Sequence, residues 1–128
     1  MKKLLLIFLL SITLVSCAEA TTYEQNDPIL ISATTGKTMM DENTDIILID
    51  VRTPSEFDEG HIEGAILLPL DTLSSNAEKV LKDKRAIIIV YCRSGNRSAT
   101  AVDLLYDLGY ANLYDMGGII NWPYGIVN

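Results

Sequence analysis

The chain has 128 residues, a formal charge of −7, 48% hydrophobic and 21% charged residues, and two cysteines. One compact domain is the most this length accommodates, the apolar share excludes a disordered chain, and the acidic balance argues against nucleic acid as a partner. With two cysteines, neither a disulfide scaffold nor a four-cysteine zinc site can be built.

The N-terminal stretch differs in composition from the rest. Lys2 and Lys3 form a basic head, and Leu4 to Val15 is apolar apart from Ser11 and Thr13. Twelve residues rise about 18 Å as a helix, against a hydrocarbon core of roughly 30 Å, so residues 1–16 read as an export signal rather than a membrane span. Leu14-Val15-Ser16-Cys17 resembles the lipobox of bacterial lipoprotein precursors. That resemblance implies a lipidated Cys17 at the mature N-terminus, export, and a membrane anchor in the cell envelope. Losing residues 1–16 removes two lysines and no acid, which leaves 112 residues and a charge of −9. Residues 17–28 are small and polar and read as a tether to a domain over 29–128. Cys92 is then the single free thiol. Outside the cytosol it cannot close an intramolecular disulfide, so dithiol redox chemistry would need a second protein.

From Ile29 on, short apolar runs alternate with helical patterns, as an α/β sheet with crossover helices requires. Ile29 to Ile31 reads as a flanking strand, and Ser32 can N-cap a helix carrying Met39 and Met40. Ile46 to Ile49 and Ile87 to Tyr91 are continuous and rich in β-branched residues, the pattern of strands buried on both faces in the middle of a parallel sheet. Ala65 to Leu68 reads as another flanking strand. Ser74 or Ser75 can cap a helix carrying Val80 and Leu81, and Ser98 to Leu108 has apolar residues at helical spacing, ended by Gly109. Asn112 to Met116 is a last, short strand.

The chemistry concentrates in Cys92-Arg93-Ser94-Gly95-Asn96-Arg97-Ser98, between the strongest strand and the following helix. In an open α/β sheet, the crevice outside the carboxyl ends of the strands is where ligands bind. A thiol there, followed by a turn that aims backbone N–H groups inward and by a helix N-terminus, has its thiolate stabilised by those dipoles. Gly95 permits a left-handed backbone, Asn96 tolerates one, and Ser98 can cap the helix. Arg93 and Arg97 supply cationic forks, which points to a positive pocket for a small anion. His61, the one histidine, lies in a turn and reads as a turn hydrogen-bonder rather than a base. Asp50-Val51-Arg52 ends a central strand, and its charges read as an ion pair or cap, for example Arg52 with Glu56. Trp122 reads as core or rim packing.

Asp50-Val51-Arg52-Thr53-Pro54 followed by Glu56-Phe57, then Gly60-His61-Ile62-Glu63-Gly64-Ala65, then Tyr91 to Ser98, then Gly117-Gly118 before Trp122 together resemble a single-domain rhodanese over Ile29 to about Trp122. The resemblance implies a five-stranded parallel sheet with helices on both faces, and a Cys92 that carries a persulfide sulfur. Glu63 stands where the family usually has Pro, which touches turn stiffness and no chemistry. The implied reaction is ping-pong sulfur transfer: Cys92 attacks the outer sulfur of a small anionic donor such as thiosulfate, and cyanide or a low-molecular-weight or protein thiol then takes the sulfur. It calls for no metal and no organic cofactor. Gly95 would let the backbone come close and the N–H groups of the loop would hold the persulfide charge. Arg93 and Arg97 would orient the donor, with Ser94, Asn96 and Ser98 completing the cradle.

Two other readings remain at this level. One is phosphate or arsenate chemistry on the same fold; those enzymes resemble Cys-x5-Arg, whereas four residues separate Cys92 from Arg97 here, a smaller cradle. The other is a tethered carrier, sensor or binding module that hands sulfane sulfur to a partner.

Overall fold

The computed structural model describes residues 22–128, so the expected signal over 1–16 and Cys17 lie outside the described residues. In chain order it has β1 (Ile29–Leu30), α1 (Ala33–Glu42), β2 (Ile47–Asp50), α2 (Pro54–Glu59), β3 (Ile66–Leu67), α3 (Leu73–Val80), β4 (Ile87–Cys92), α4 (Asn96–Asp107) and β5 (Asn112–Gly118). The five strands form one sheet in the order β1-β5-β4-β2-β3, and every pairing is parallel.

β4 lies at the centre because its residues are apolar on both faces. Ile88, Val90 and Cys92 join one core with Ala77 of α3 and Ala101, Val102 and Leu105 of α4. Ile89 and Tyr91 face the other way, into a core with Met116, packed against Met39 and Met40 of α1 and Trp122. Helices therefore cover both faces. Ile49, Ile88, Ile89, Leu105 and Leu113 are at most 1% exposed, each contributing roughly 1.5–3 kcal/mol through burial. The edge strands β1 and β3 are two residues each.

Four sequence expectations are corrected. β5 is the longest strand, seven residues, rather than a short one ending at Met116. It runs on through Gly117 and Gly118 by a bulge: Val90 pairs with Asp115 but Tyr91 with Gly117. Gly117 takes φ 73°, and its N–H donates to Asp115 Oδ1 at 2.8 Å, so glycines that look like strand breakers continue the strand. Second, α2 was not anticipated. Thr53 builds a capping box with Glu56 and Pro54 enters the first turn, which lets six residues hold a helix.

Third, α3 begins before Ser74 and Ser75. A 3₁₀ turn over Leu70–Thr72 runs straight into it, and Thr72 caps by position without a side-chain bond. Val80 is 46% exposed, and Leu81 is buried just past the last turn. Fourth, α4 begins at Asn96 with Gly95 at the cap position, so Ser98 lies in its first turn. Ser32, by contrast, caps α1 as expected, accepting from Thr35 N. Residues ahead of β1 also touch the domain: Gln25 Nε2 donates to Tyr110 O at 3.0 Å and Asn26 N to Ala111 O at 3.1 Å.

Candidate active site

The central strand delivers Cys92 to the carboxyl end of the sheet, and the chain must then reverse into α4. Gly95 makes that reversal at φ 113°, a conformation costly for any residue with a Cβ. The N–H of Gly95 consequently points back and donates to Cys92 Sγ at 3.0 Å. The thiol donates to Ser98 Oγ at 3.6 Å, and Ser98 Oγ donates to Gly95 O at 3.0 Å. A hydroxyl has one proton, so on thiol ionisation that of Ser98 can turn from the Gly95 carbonyl to the sulfur.

Cys92 is 1% exposed. Burial pushes its thiol up, but the Ser98 hydroxyl and the backbone N–H groups of Ser98, Gly95 and Ser94 together outweigh burial and hold it below its ordinary value. The loop is braced from β5. A Cβ on Gly118 would collide with Arg93 O and Ser94 Cα, so the backbones touch where only glycine fits. Ile120 N donates to Arg93 O at 3.3 Å. Sequence reasoning placed Gly117-Gly118 in a motif without giving either glycine this task.

Two ion pairs border the loop. Arg52 folds back on Asp50, with Nε 3.0 Å from both carboxylate oxygens and Nη2 2.7 Å from Oδ2. Arg52 Nη2 also donates to Gly60 O at 2.7 Å. Both residues are buried, and the guanidinium stays charged: burial lowers its pKa, but the bond and charge of Asp50 raise it further. The expected Arg52–Glu56 pair does not form. Glu56 is held by its capping box, Oε2 accepting from Thr53 N at 2.9 Å, and faces α4. There Arg97 Nη1 meets Oε2 at 2.8 Å and Nη2 meets Oε1 at 2.9 Å. Arg97 above all holds the Glu56 carboxyl down, to about 2.

The expectation of a positive pocket is corrected accordingly. The fork of Arg97 is matched atom for atom by Glu56, and of the three arginines that border the loop, Arg52, Arg93 and Arg97, only Arg93 is exposed without an ion pair. Glu56 escaped sequence reasoning as the partner of Arg97. Thr53-Pro54-Ser55-Glu56 carries a helix-start signature that could have oriented it.

Ser94 and Asn96 are exposed on the crown of the loop, and Ser98 is buried beneath it. His61 Nδ1 donates to Phe57 O at 2.8 Å, its ring stacks on Phe57 at 3.6 Å, and its backbone bridges Val127. It is a turn hydrogen-bonder. Trp122 packs against the α1-side core and donates from Nε1 to Gly125 O at 2.9 Å. Two cavities flank the loop. One of about 390 Å³ is lined by Arg52, Glu56, Glu59, Arg93, Ile119 and Ile120. The other, about 270 Å³, lies on the far side, where Arg97, Thr53 and Asp71 meet.

Comparison with known proteins bears on this geometry. The family model for the rhodanese-like domain matches residues 32–123. A sulfurtransferase of Allochromatium vinosum is 37% identical over 82 residues, covering 63% of this chain and 75% of that protein. The thiosulfate sulfurtransferase PspE of Escherichia coli is 34% identical over 71 residues, covering 56% and 68%. Among solved structures, a rhodanese-like domain protein from Staphylococcus aureus superimposes with a TM-score of 0.69 at 30% identity, covering 77% of this chain and 96% of that one. A rhodanese from E. coli solved with anions gives 0.61 at 30% identity, covering 65% and 98%.

Proposed function

The chain belongs to the rhodanese-like domain family, and from that premise we propose that it is a sulfurtransferase moving sulfane sulfur from thiosulfate or a related donor to a thiophilic acceptor, with Cys92 as carrier. The observation that supports this reading best is the convergence of Gly95 N–H and its neighbours on Cys92 Sγ at the end of the central strand. In the first half-reaction the Cys92 thiolate attacks the outer sulfur of thiosulfate. A new S–S bond forms, the donor S–S bond breaks, and its electron pair leaves with sulfite. The persulfide Cys92–S–S⁻ carries its charge on the outer sulfur, where the loop N–H groups stabilise it. In the second half-reaction cyanide or a thiolate attacks that outer sulfur and the Cys92 thiolate returns.

Little help from a base is needed, because the thiol is held below its ordinary value and sulfite is a good leaving group. Arg93 is the cation free to meet the oxygens of the donor. Ser94 and Asn96 shape the crown, and Gly95 and Ser98 hold the sulfur. Arg97, bound to Glu56, closes the far side. Intact-mass spectrometry of the domain after incubation with thiosulfate tests the reading. The expected result is a gain of one sulfur atom, lost on cyanide addition with release of thiocyanate. No gain from thiosulfate or polysulfide would overturn it.

We also propose export and lipid anchoring through Cys17, on the strength of residues 1–16 and the lipobox-like Leu14-Val15-Ser16-Cys17. Cys17→Ser should move the protein from the membrane fraction to the soluble one with sulfur transfer intact. Membrane recovery equal to wild type would refute the anchor.

A further inference from the structure

The rim of the Cys92 loop carries three guanidiniums, Arg52, Arg93 and Arg97, against four carboxylates, Asp50, Glu56, Glu59 and Asp71. Cations therefore do not exceed anions where a donor must enter. The close pairs cancel within themselves: Asp50 takes up Arg52 in the floor, and Glu56 takes up Arg97 through two parallel bonds of 2.8 and 2.9 Å. The second pair is the informative one. Arg97 lies one residue before Ser98 and one turn of chain from the sulfur, and the Cys92 charge is among those that stabilise its guanidinium. Unpaired, it would add a full positive charge beside the entering anion. Glu56 is fixed independently of any donor, because Thr53 N and Thr53 Oγ1 donate to its Oε2 at 2.9 and 3.0 Å.

We propose that Glu56 is a specificity-determining residue that, by neutralising Arg97, turns donor preference away from doubly charged sulfur donors toward singly charged ones such as thiosulfonates and organic persulfides. The inference rests on the sulfurtransferase reading and deepens it. The loop N–H dipoles stabilise a single charge on the outer sulfur. The second charge of thiosulfate sits on its sulfonate oxygens, and Arg93 is the one unpaired guanidinium left to meet it. Where thiosulfate has that charged oxygen, methanethiosulfonate has a methyl group, and Ile119 and Ile120 line the cavity beside Arg93. Chemistry at the sulfur is the same for both. The Cys92 thiolate bonds to the terminal sulfur, the donor S–S bond breaks, and the electron pair departs with sulfite or methanesulfinate. Any difference between the two donors therefore reports charge at the rim.

The experiment measures kcat/KM for thiosulfate and for methanethiosulfonate, with thiocyanate release as readout, in wild type, Glu56→Gln, Arg97→Gln and the double variant. Gln preserves the capping box, so α2 keeps its start. The thiosulfate to methanethiosulfonate ratio should rise roughly fivefold in Glu56→Gln, about the effect of one charge at rim distance in a partly aqueous dielectric. In Arg97→Gln it should fall by a similar factor, and the double variant should return near wild type. High salt should compress the whole ladder. A ratio unchanged in folded Glu56→Gln, or one that fails to fall in Arg97→Gln, would overturn the inference while leaving the transferase standing. Should Glu56→Gln fail to fold, the Arg97→Gln ratio alone decides. Wild type inert to both donors would overturn the transferase reading, and this inference with it.

Discussion

The interior and the rim of the Cys92 loop handle charge in opposite ways. Inside, backbone N–H groups and the Ser98 hydroxyl converge on one sulfur. At the rim, guanidiniums are matched by carboxylates, Arg52 by Asp50 and Arg97 by Glu56. Amide dipoles are fixed by the path of the chain and are present whatever the side chains or the pH. Ion pairs depend on residue identity and on protonation. Two tasks separate: the sulfur is held by backbone N–H groups together with the Ser98 hydroxyl, while choosing what approaches it falls to the charged side chains of the rim. Variants of the interior should abolish or misplace the chemistry, and variants of the rim should alter stability and selectivity.

The largest effect belongs to the sulfur itself. Cys92→Ser should fold and lose sulfur loading entirely, since an alcohol beside the same N–H groups stays protonated at neutral pH. Residual thiocyanate release from the purified variant would break the assignment of the interior. Next is the floor of the rim. Asp50→Asn leaves the guanidinium of Arg52 buried without its counter-charge and should lower unfolding free energy by about 3–5 kcal/mol. Chemical denaturation measures this, and a loss under 1 kcal/mol would mean that water reaches the pair.

Gly118→Ala tests the brace between the two regions. The new Cβ meets Arg93 O and Ser94 Cα, which are backbone and cannot swing aside, so overpacking of about 1–3 kcal/mol is expected. Because those atoms belong to the loop, kcat should fall more than tenfold in protein that still melts cooperatively. Full activity with a lowered Tm would show that the loop keeps its shape without the brace.

The same division explains what the sequence made legible. β4 and its loop stood out because Ile87 to Tyr91 is continuous and apolar, and because Gly95 advertises the positive φ by which the N–H groups turn inward. Those are local facts. An α/β sheet with crossover helices followed from alternation of periods, helices over both faces were what the family resemblance implied, and Ser32 announced its own cap. The pairing of rim charges did not follow. Glu56 and Arg97 are 41 residues apart, and composition shows two arginines in a loop without showing that one is already engaged. Arg52 was near enough to Glu56 to suggest a pair, yet Asp50 lies two residues back along the same chain and wins by geometry. α2 was hidden by its length, since six residues are too few for periodicity. β5 was cut short because a glycine pair reads as an end, and the bulge that keeps it in register needs a partner strand to be seen.

The smallest expected effect sharpens the rim half of the comparison through pH. Arg97, more than any other group, holds the Glu56 carboxyl at about 2, below its ordinary 4.5. A carboxylate depressed by folding binds fewer protons in the native state than in the unfolded chain, so stability falls as pH falls. Its contribution should be complete above the unfolded value near 4.5, decline through the interval below it, and vanish near pH 2. The Glu56 side chain is 25% exposed, and screening by solvent reduces the worth of the pair to about 1 kcal/mol. Glu56→Gln, which keeps the helix start, should therefore be less stable than wild type by about that amount at pH 7 in urea titrations. The gap should close progressively between pH 4.5 and 2. A gap that persists at pH 2 would assign the loss to packing and hydrogen bonding instead of charge. The interior offers the contrast within the same molecule: amide dipoles do not titrate, so any pH dependence there belongs to the Cys92 sulfur and not to the groups that hold it.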